Sequence, residues 1–211
     1  MKIKICGLSQ WNNLLEVAQE QPDYIGLIFY PKSARLIQLQ PQEMLWQHLP
    51  KKVQKVGVFV NESVQNVAAM TQKYHLDYVQ LHGNESASYC EQLKSQGIKL
   101  IKAFGLHESF DFEITKEYTK NCEYFLWDTA QVNYGGSGIA FDWAVLTKYK
   151  EDTPFFLSGG IGLANIHKAL QVQHPQFKGL DINSKIEDYP GFKNIQQTKH
   201  IIQIIKNYEH I

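Results

Sequence analysis

Eight times along the chain a short apolar run is followed by residues spaced for one face of a helix. The runs are Lys2 to Cys6, Tyr24 to Phe29, Lys55 to Val60, Leu76 to Leu81, Ile98 to Phe104, Tyr124 to Asp128, Pro154 to Ser158 and Lys178 to Ile182. Their ends recur at roughly 25 residues, which is about one strand, one helix and two short loops. That period predicts an α/β chain closed into a (β/α)8 barrel, the TIM-barrel architecture. An open doubly wound sheet is the competing arrangement, but it would usually bring a Gly-x-Gly-x-x-Gly turn after the first strand, and Gly7 stands alone there. At 211 residues the chain is near the lower limit for such a barrel and is expected to form a single domain over residues 1–211. Its loops should therefore be short except after strands two and six, at Tyr30 to Gln40 and Thr129 to Phe141, the latter carrying Gly135-Gly136-Ser137-Gly138.

The intervening segments carry helical spacing. Trp11, Leu14, Leu15 and Ala18 mark the first face, and Pro41 opens a helix containing Met44, Leu45 and Leu49. Val64, Val67, Ala68 and Thr71 follow the candidate caps Asn61 and Ser63. Further helices are expected from about Glu85 through Cys90 and Leu93, over Phe112 to Tyr118, over Trp143 to Tyr149, on the face Leu163, Ile166 and Leu170, and at Ile195, Ile202 and Ile205.

Composition narrows the function. Twenty-one basic residues balance twenty-one acidic ones without a run of like charge, which argues against a nucleic-acid partner. No apolar stretch is long enough for a membrane span and the first strand begins at once, so a cytoplasmic protein is expected. Cys6, Cys90 and Cys122 are odd in number and widely spaced, and the eight histidines lack ligand spacing; neither a disulfide framework nor a metal site is expected.

In this architecture reactive groups collect at the downstream ends of strands. Those ends offer Cys6, Gln80, His82, Asp128, Ser158 with its glycines, and Asp181. Two of them, Ser158-Gly159-Gly160-Ile161-Gly162 and Asp181-Ile182-Asn183-Ser184, each lead from a strand into a helical start. Paired in this way they suit a phosphate, because unpaired backbone N–H groups would converge there. A small phosphorylated metabolite is the expected ligand. Cys6 shares the parity of Lys2 and Lys4, so it points into the barrel mouth if Ile3 and Ile5 face the helices. It is either a reactive thiol or a small buried apolar residue. Asp128 closes the aromatic run Tyr124-Phe125-Leu126-Trp127, where burial would raise its pKa as a general acid requires, or it serves as a turn or capping residue. Asp181 has a similar alternative as a satisfied core carboxylate. Arg35, directly after strand two, is either a solvated loop residue or a planar fork for a carboxylate or phosphate.

Taken together, these segments resemble phosphoribosylanthranilate isomerase of tryptophan biosynthesis. The resemblance runs through Met1 to Leu8, Gly26 to Arg35, Lys55 to Asn61, Val79 to Gly83, Trp127-Asp128-Thr129 with Gly135 to Gly138, Leu157 to Ile161, and Gly179 to Ser184 with Pro190-Gly191. It departs at Ser9, Ala34 and Lys185, where that family commonly has threonine, proline and glycine. What it implies is a cofactor-free Amadori rearrangement by an aldose–ketose isomerase. Asp128 would be the general acid, Cys6 the general base, and Arg35 the anchor of the anthranilate carboxylate. Gln80 and Asp181 would address the sugar, and Gly159, Gly160, Asn183 and Ser184 the phosphate. The resemblance leaves a monomer or weak homodimer. Other phosphosugar barrels fit less well: an indole-glycerol-phosphate synthase relative would need catalytic lysines and an N-terminal extension, and a ribulose-phosphate epimerase metal-binding histidines. A non-catalytic phosphate-binding barrel would have no use for both an acid and a base.

Overall fold

The structure, a computed structural model, describes residues 1–38, 46–128 and 143–208. Eight parallel strands, β1 (Lys2–Cys6), β2 (Tyr24–Ile28), β3 (Gln54–Phe59), β4 (Tyr78–Leu81), β5 (Leu100–Gly105), β6 (Tyr124–Asp128), β7 (Phe155–Ser158) and β8 (Phe177–Ile182), pair in sequence order and close through β1 and β8. Each strand predicted from the apolar runs is present, shifted by at most two residues at either end. Residues 41–45 of the helix expected after Pro41, and the Gly135 to Gly138 loop, lie outside the described residues.

Alternation along the strands divides the core in two. Tyr24, Val56, Tyr78, Ile101, Ala103, Leu126 and Phe156 form one cluster inside the barrel. Ile3, Ile5, Ile25, Leu27, Phe125 and Trp127 belong to a larger cluster between the strands and the helices. At the upstream end of the barrel Tyr24 meets Tyr78 and Phe156 edge to face, both with ring centroids 5.6 Å apart. Gly179 makes room for this packing: a Cβ there would sit 2.3 Å from the carbonyl oxygen of Lys2 and 2.7 Å from the Phe156 ring.

The outer layer includes α1 (Trp11–Gln19), α2 (Val64–Lys73), α3 (Ala87–Lys94), α4 (Ile166–Leu170) and α5 (Ile195–Tyr208). Ser63 and Ser86 cap α2 and α3 by accepting from Asn66 N and Tyr89 N. In α5, Thr198, Ile201, Ile202 and Ile205 recur at three- and four-residue spacing and are buried. Each isoleucine buried in this way contributes about 1.5–3 kcal/mol.

Three local expectations change. Phe112–Tyr118 and Trp143–Lys148 are 3₁₀ rather than α. In the first, Thr115 Oγ1 donates to the Phe112 carbonyl, the kind of local bond that competes with α geometry in a short segment. The buried face of α1 includes Asn13 and Val17, while Trp11 and Leu15 are only partly covered. Beyond β8, a 3₁₀ turn (Ser184–Ile186) leads to a small antiparallel hairpin, β9 (Glu187–Tyr189) and β10 (Phe192–Lys193), which the sequence patterns did not indicate. Asn13 ties it to α1, donating to the Lys193 carbonyl at 2.8 Å and accepting from Lys193 N at 2.7 Å.

Candidate active site

Strand register places charged groups side by side at the downstream rim. Lys4 pairs with Asp181 across β1 and β8, Cys6 with Gly26 across β1 and β2, and Asp128 with Ser158 across β6 and β7. All share the parity of the inner cluster, so they point into the barrel. This meets the expectation for Cys6, whose neighbours Ile3 and Ile5 do face the helices. Gly26 is what gives the thiol room, since a Cβ on it would lie 2.6 Å from Sγ.

Asp181 is 4 % exposed and engages two partners. Its Oδ1 accepts from Lys4 Nζ at 2.8 Å, and its Oδ2 from the Ser158 hydroxyl at 3.2 Å. Burial alone would lower the Lys4 pKa, but Asp181 and Cys6 outweigh it and hold the ammonium above its ordinary value. For Cys6 burial wins: the thiol is pushed up, against the opposing charges of Lys4 and Lys193.

Asp128, at the end of β6, lies 3.1 Å from His82 Nε2, and His82 Nδ1 lies 2.8 Å from the Gln80 amide nitrogen. With Gln80 donating, Nδ1 accepts, and the imidazole proton sits on Nε2 facing the carboxylate. Gln80 Oε1 is buried and has no hydrogen-bond partner among the described residues. Asp128 also lines a cleft of about 90 Å³ with Ser158, Gly159, Gly160, Ile161, Asp181, Asn183 and Ser184. The acid candidate and the four phosphate candidates thus meet at one opening. Gly159 and Gly160 have φ of 93° and 66°, left-handed backbone that glycine adopts cheaply and that turns the chain sharply at the strand end. The Lys185 stem packs over the same loop, its Cβ 2.5 Å from where a Cβ on Gly162 would be. A hollow of about 300 Å³ on the barrel flank, between Trp143–Thr147 and Lys168–Gln173, contains none of the strand-end groups.

Arg35 is not solvated freely. Its Nε and Nη2 clasp the Glu187 carboxylate, the shortest contact being 2.7 Å. Glu187 also accepts from Lys193 Nζ at 2.6 Å and from Gly191 N at 3.1 Å. Burial opposes ionisation of Glu187, yet the Arg35 and Lys193 hydrogen bonds prevail and lower its pKa. Lys193 is itself fully buried; burial lowers its pKa although Glu187 pulls the other way. It also donates to Asn183 Oδ1 at 2.7 Å, joining this cluster to the phosphate loop. Gly7 sits at the junction with φ of 78°; a Cβ on it would lie 2.6 Å from Asn183 Oδ1 and 2.9 Å from Arg35 Cδ. Ser9 donates its hydroxyl to the Gly191 carbonyl at 3.1 Å.

Every candidate named from the sequence therefore lies at one rim. The sequence reading left His82 without a role and missed Lys4, Glu187 and Lys193. A lysine between Ile3 and Ile5 on the parity of Cys6 was a usable signal; nothing local marked the hairpin residues. Cys90 and Cys122 are free thiols buried in the outer core cluster between strands and helices. Among the described residues no group of three His, Cys, Asp or Glu is arranged to hold a metal, and no helix is long and apolar enough to cross a membrane.

Residues 3–204 match the family model for N-(5'-phosphoribosyl)anthranilate (PRA) isomerase. The chain belongs to the phosphoribosylanthranilate isomerase family. An N-(5'-phosphoribosyl)anthranilate isomerase from Parabacteroides distasonis is 46% identical over 209 residues, covering 97% of this chain and 93% of that protein. The solved phosphoribosylanthranilate isomerase of Thermotoga maritima superposes with a TM-score of 0.82 at 32% identity, over 100% of both chains. Another family structure, solved with reduced 1-(o-carboxyphenylamino)-1-deoxyribulose 5-phosphate bound, gives 0.79 at 29% identity and the same coverage. The closed barrel is thus the family's fold as well as the arrangement built from these residues.

Proposed function

We propose that this enzyme converts N-(5'-phosphoribosyl)anthranilate to 1-(2-carboxyphenylamino)-1-deoxyribulose 5-phosphate, with Asp128 as general acid and Cys6 as general base. The observation that carries the reading is their convergence: both point inward at the same rim, beside a small cleft bounded by two glycine-bearing or helix-initiating strand ends. Asp128 gives its proton to the furanose ring oxygen as the C1–O bond breaks, leaving a Schiff base between C1 and the anthranilate nitrogen. The Cys6 thiolate takes the proton from C2. The electrons of that C–H bond move into C1–C2 as the C=N bond is reduced to an amine, and the enolamine tautomerises to the ketone. Acid and base are chemically sufficient, each supplying about 10²- to 10⁴-fold, with the barrel supplying orientation.

The remaining residues have matching chemistry. His82 orients the Asp128 carboxyl through the Nε2 contact. Gln80 Oε1, a buried acceptor lacking a partner among the described residues, suits a sugar hydroxyl, as does Asp181. Gly159, Gly160, Asn183 and Ser184 hold the phosphate, with the Lys185 ammonium adding a charge at that loop. Arg35, with Nε and Nη2 turned to Glu187, offers its remaining N–H edge to the anthranilate carboxylate. We read the chain as one cytoplasmic domain, active as a monomer or weak homodimer and without nucleic-acid or membrane partners.

The test is a fluorescence assay with enzymatically generated phosphoribosylanthranilate. Consumption of the fluorescent substrate at a rate proportional to enzyme is expected. No consumption above the spontaneous decay would overturn the reading.

A further inference from the structure

A buried thiol makes a poor base. Cys6 is 4 % exposed, and the groups that bear on its charge come from three directions. Lys4 lies two residues upstream on the same inward face of β1, Asp181 stands opposite Lys4 on β8, and the charges of Lys4, Asp181 and Lys193 all bear on the thiol. Lys193 is bound to Glu187, which in turn holds Arg35. Among the described residues this corner of the rim brings together three cations, Lys4, Arg35 and Lys193, and two carboxylates, Asp181 and Glu187, with Arg35 partly exposed. This balance of charge favours a thiolate over a neutral thiol.

We propose that Lys4 is the positioning residue that makes the Cys6 thiolate accessible, its ammonium being shared between the Asp181 carboxylate and the sulfur. Lys4 is the natural member of the three. It is fully buried, has its Nζ fixed 2.8 Å from Asp181 Oδ1, and stands two residues from Cys6 on the same inward face of β1, where its charge favours the thiolate. Arg35 and Lys193 are already bound to Glu187. The catalytic form requires a proton on Asp128 and none on Cys6, the reverse of the order in which a carboxylic acid and a thiol ordinarily ionise. A cation against the sulfur raises the fraction of enzyme in that form. Asp181 tempers the effect by competing for the same ammonium, so the two residues act on Cys6 with opposite sign.

The inference rests on Cys6 being the base, and the experiment separates the two claims. In substrate-free enzyme, the rate of Cys6 alkylation by iodoacetamide is followed against pH, with the modified residue assigned by mass spectrometry. Lys4→Gln removes the charge while keeping a donor for Asp181. It should move the midpoint upward by at least about one pH unit and lower alkylation at neutral pH about tenfold. The alkaline midpoint of kcat/KM should move with it, and Lys4→Arg should stay near wild type. Asp181→Asn frees the ammonium for sulfur and should move the alkylation midpoint downward, which keeps the idea testable if Lys4→Gln does not fold. An unmoved midpoint in folded Lys4→Gln, or an unmoved or raised one in Asp181→Asn, overturns the role of Lys4. Near-normal turnover by Cys6→Ser would instead overturn the base reading, leaving the alkylation result standing.

Discussion

Two of the buried lysine–carboxylate pairs, those whose lysines stand on barrel strands, have different surroundings. Lys4–Asp181 lies inside the barrel, 2.8 Å apart. Lys102–Glu85 lies outside it, 3.3 Å apart, because Ile101 and Ala103 take the inward positions of β5. The outer pair is enclosed by backbone. Lys102 Nζ donates to the carbonyls of Gly83 and Ala103 at 2.8 and 2.9 Å, and Glu85 accepts from Asn61 N and Gly83 N. It thereby ties the loops after β3 and β4 to β5. The inner pair instead accepts from the Ser158 hydroxyl and lies beside Cys6 on the inward face of the barrel. Two buried charges of the same type therefore sit in different settings: the outer one holds loops in place, while the inner one lies beside the proposed base at the rim.

The largest effects should separate the rim from its supports. Asp128→Asn and Cys6→Ser should each lower kcat/KM by about 10²- to 10⁴-fold with little change in the melting temperature, and Asp128→Asn should still bind the reduced product analogue. A near-normal rate in either would remove that residue from the chemistry. Lys102→Met should do the reverse, costing about 3–5 kcal/mol of stability by stranding Glu85, with kcat/KM per folded molecule nearly intact. If its alkaline rate limb moved as expected for Lys4→Gln, the contrast between the two pairs would collapse. Gly26→Ala inserts a methyl where only 2.6 Å separates it from Sγ, so overpacking should cost about 1–3 kcal/mol and displace the thiol. Urea titration together with kcat would reveal both, and an unchanged kcat would mean that the thiol tolerates displacement.

The smallest effect concerns acid stability. The folded pKa of Glu187 is lowered, so its ion pairs stabilise fully above the unfolded value of about 4.3 and are lost as pH falls through the folded value. Glu187→Gln should therefore be less stable than wild type near neutrality and show a shallower loss of stability below about pH 4. Urea midpoints measured across that range check the sign. Parallel curves would mean that Glu187 contributes through packing rather than charge.

Much of the fold was legible because a barrel strand buried on both faces must be apolar, and eight such runs at one period leave few ways to close. The inward rim positions of Cys6, Asp128 and Asp181 were legible for the related reason that a polar side chain ending an apolar strand needs an explanation. The 3₁₀ geometry of Phe112–Tyr118 was not legible, since i+3 and i+4 spacing differ little over seven residues. Nor was the β9–β10 hairpin, whose anchor Asn13 stands 180 residues away from Lys193.

The sequence by itself determined which residues alternate inward and where each strand stops, because side-chain direction follows from a two-residue period. Only the closed barrel decided which inward groups became neighbours. The registers that join Lys4 to Asp181 and Asp128 to Ser158 arise from closure and shear, which no local pattern encodes. The charge on a buried thiol depends on those neighbours, so the chemistry of Cys6 is a property of the tertiary structure.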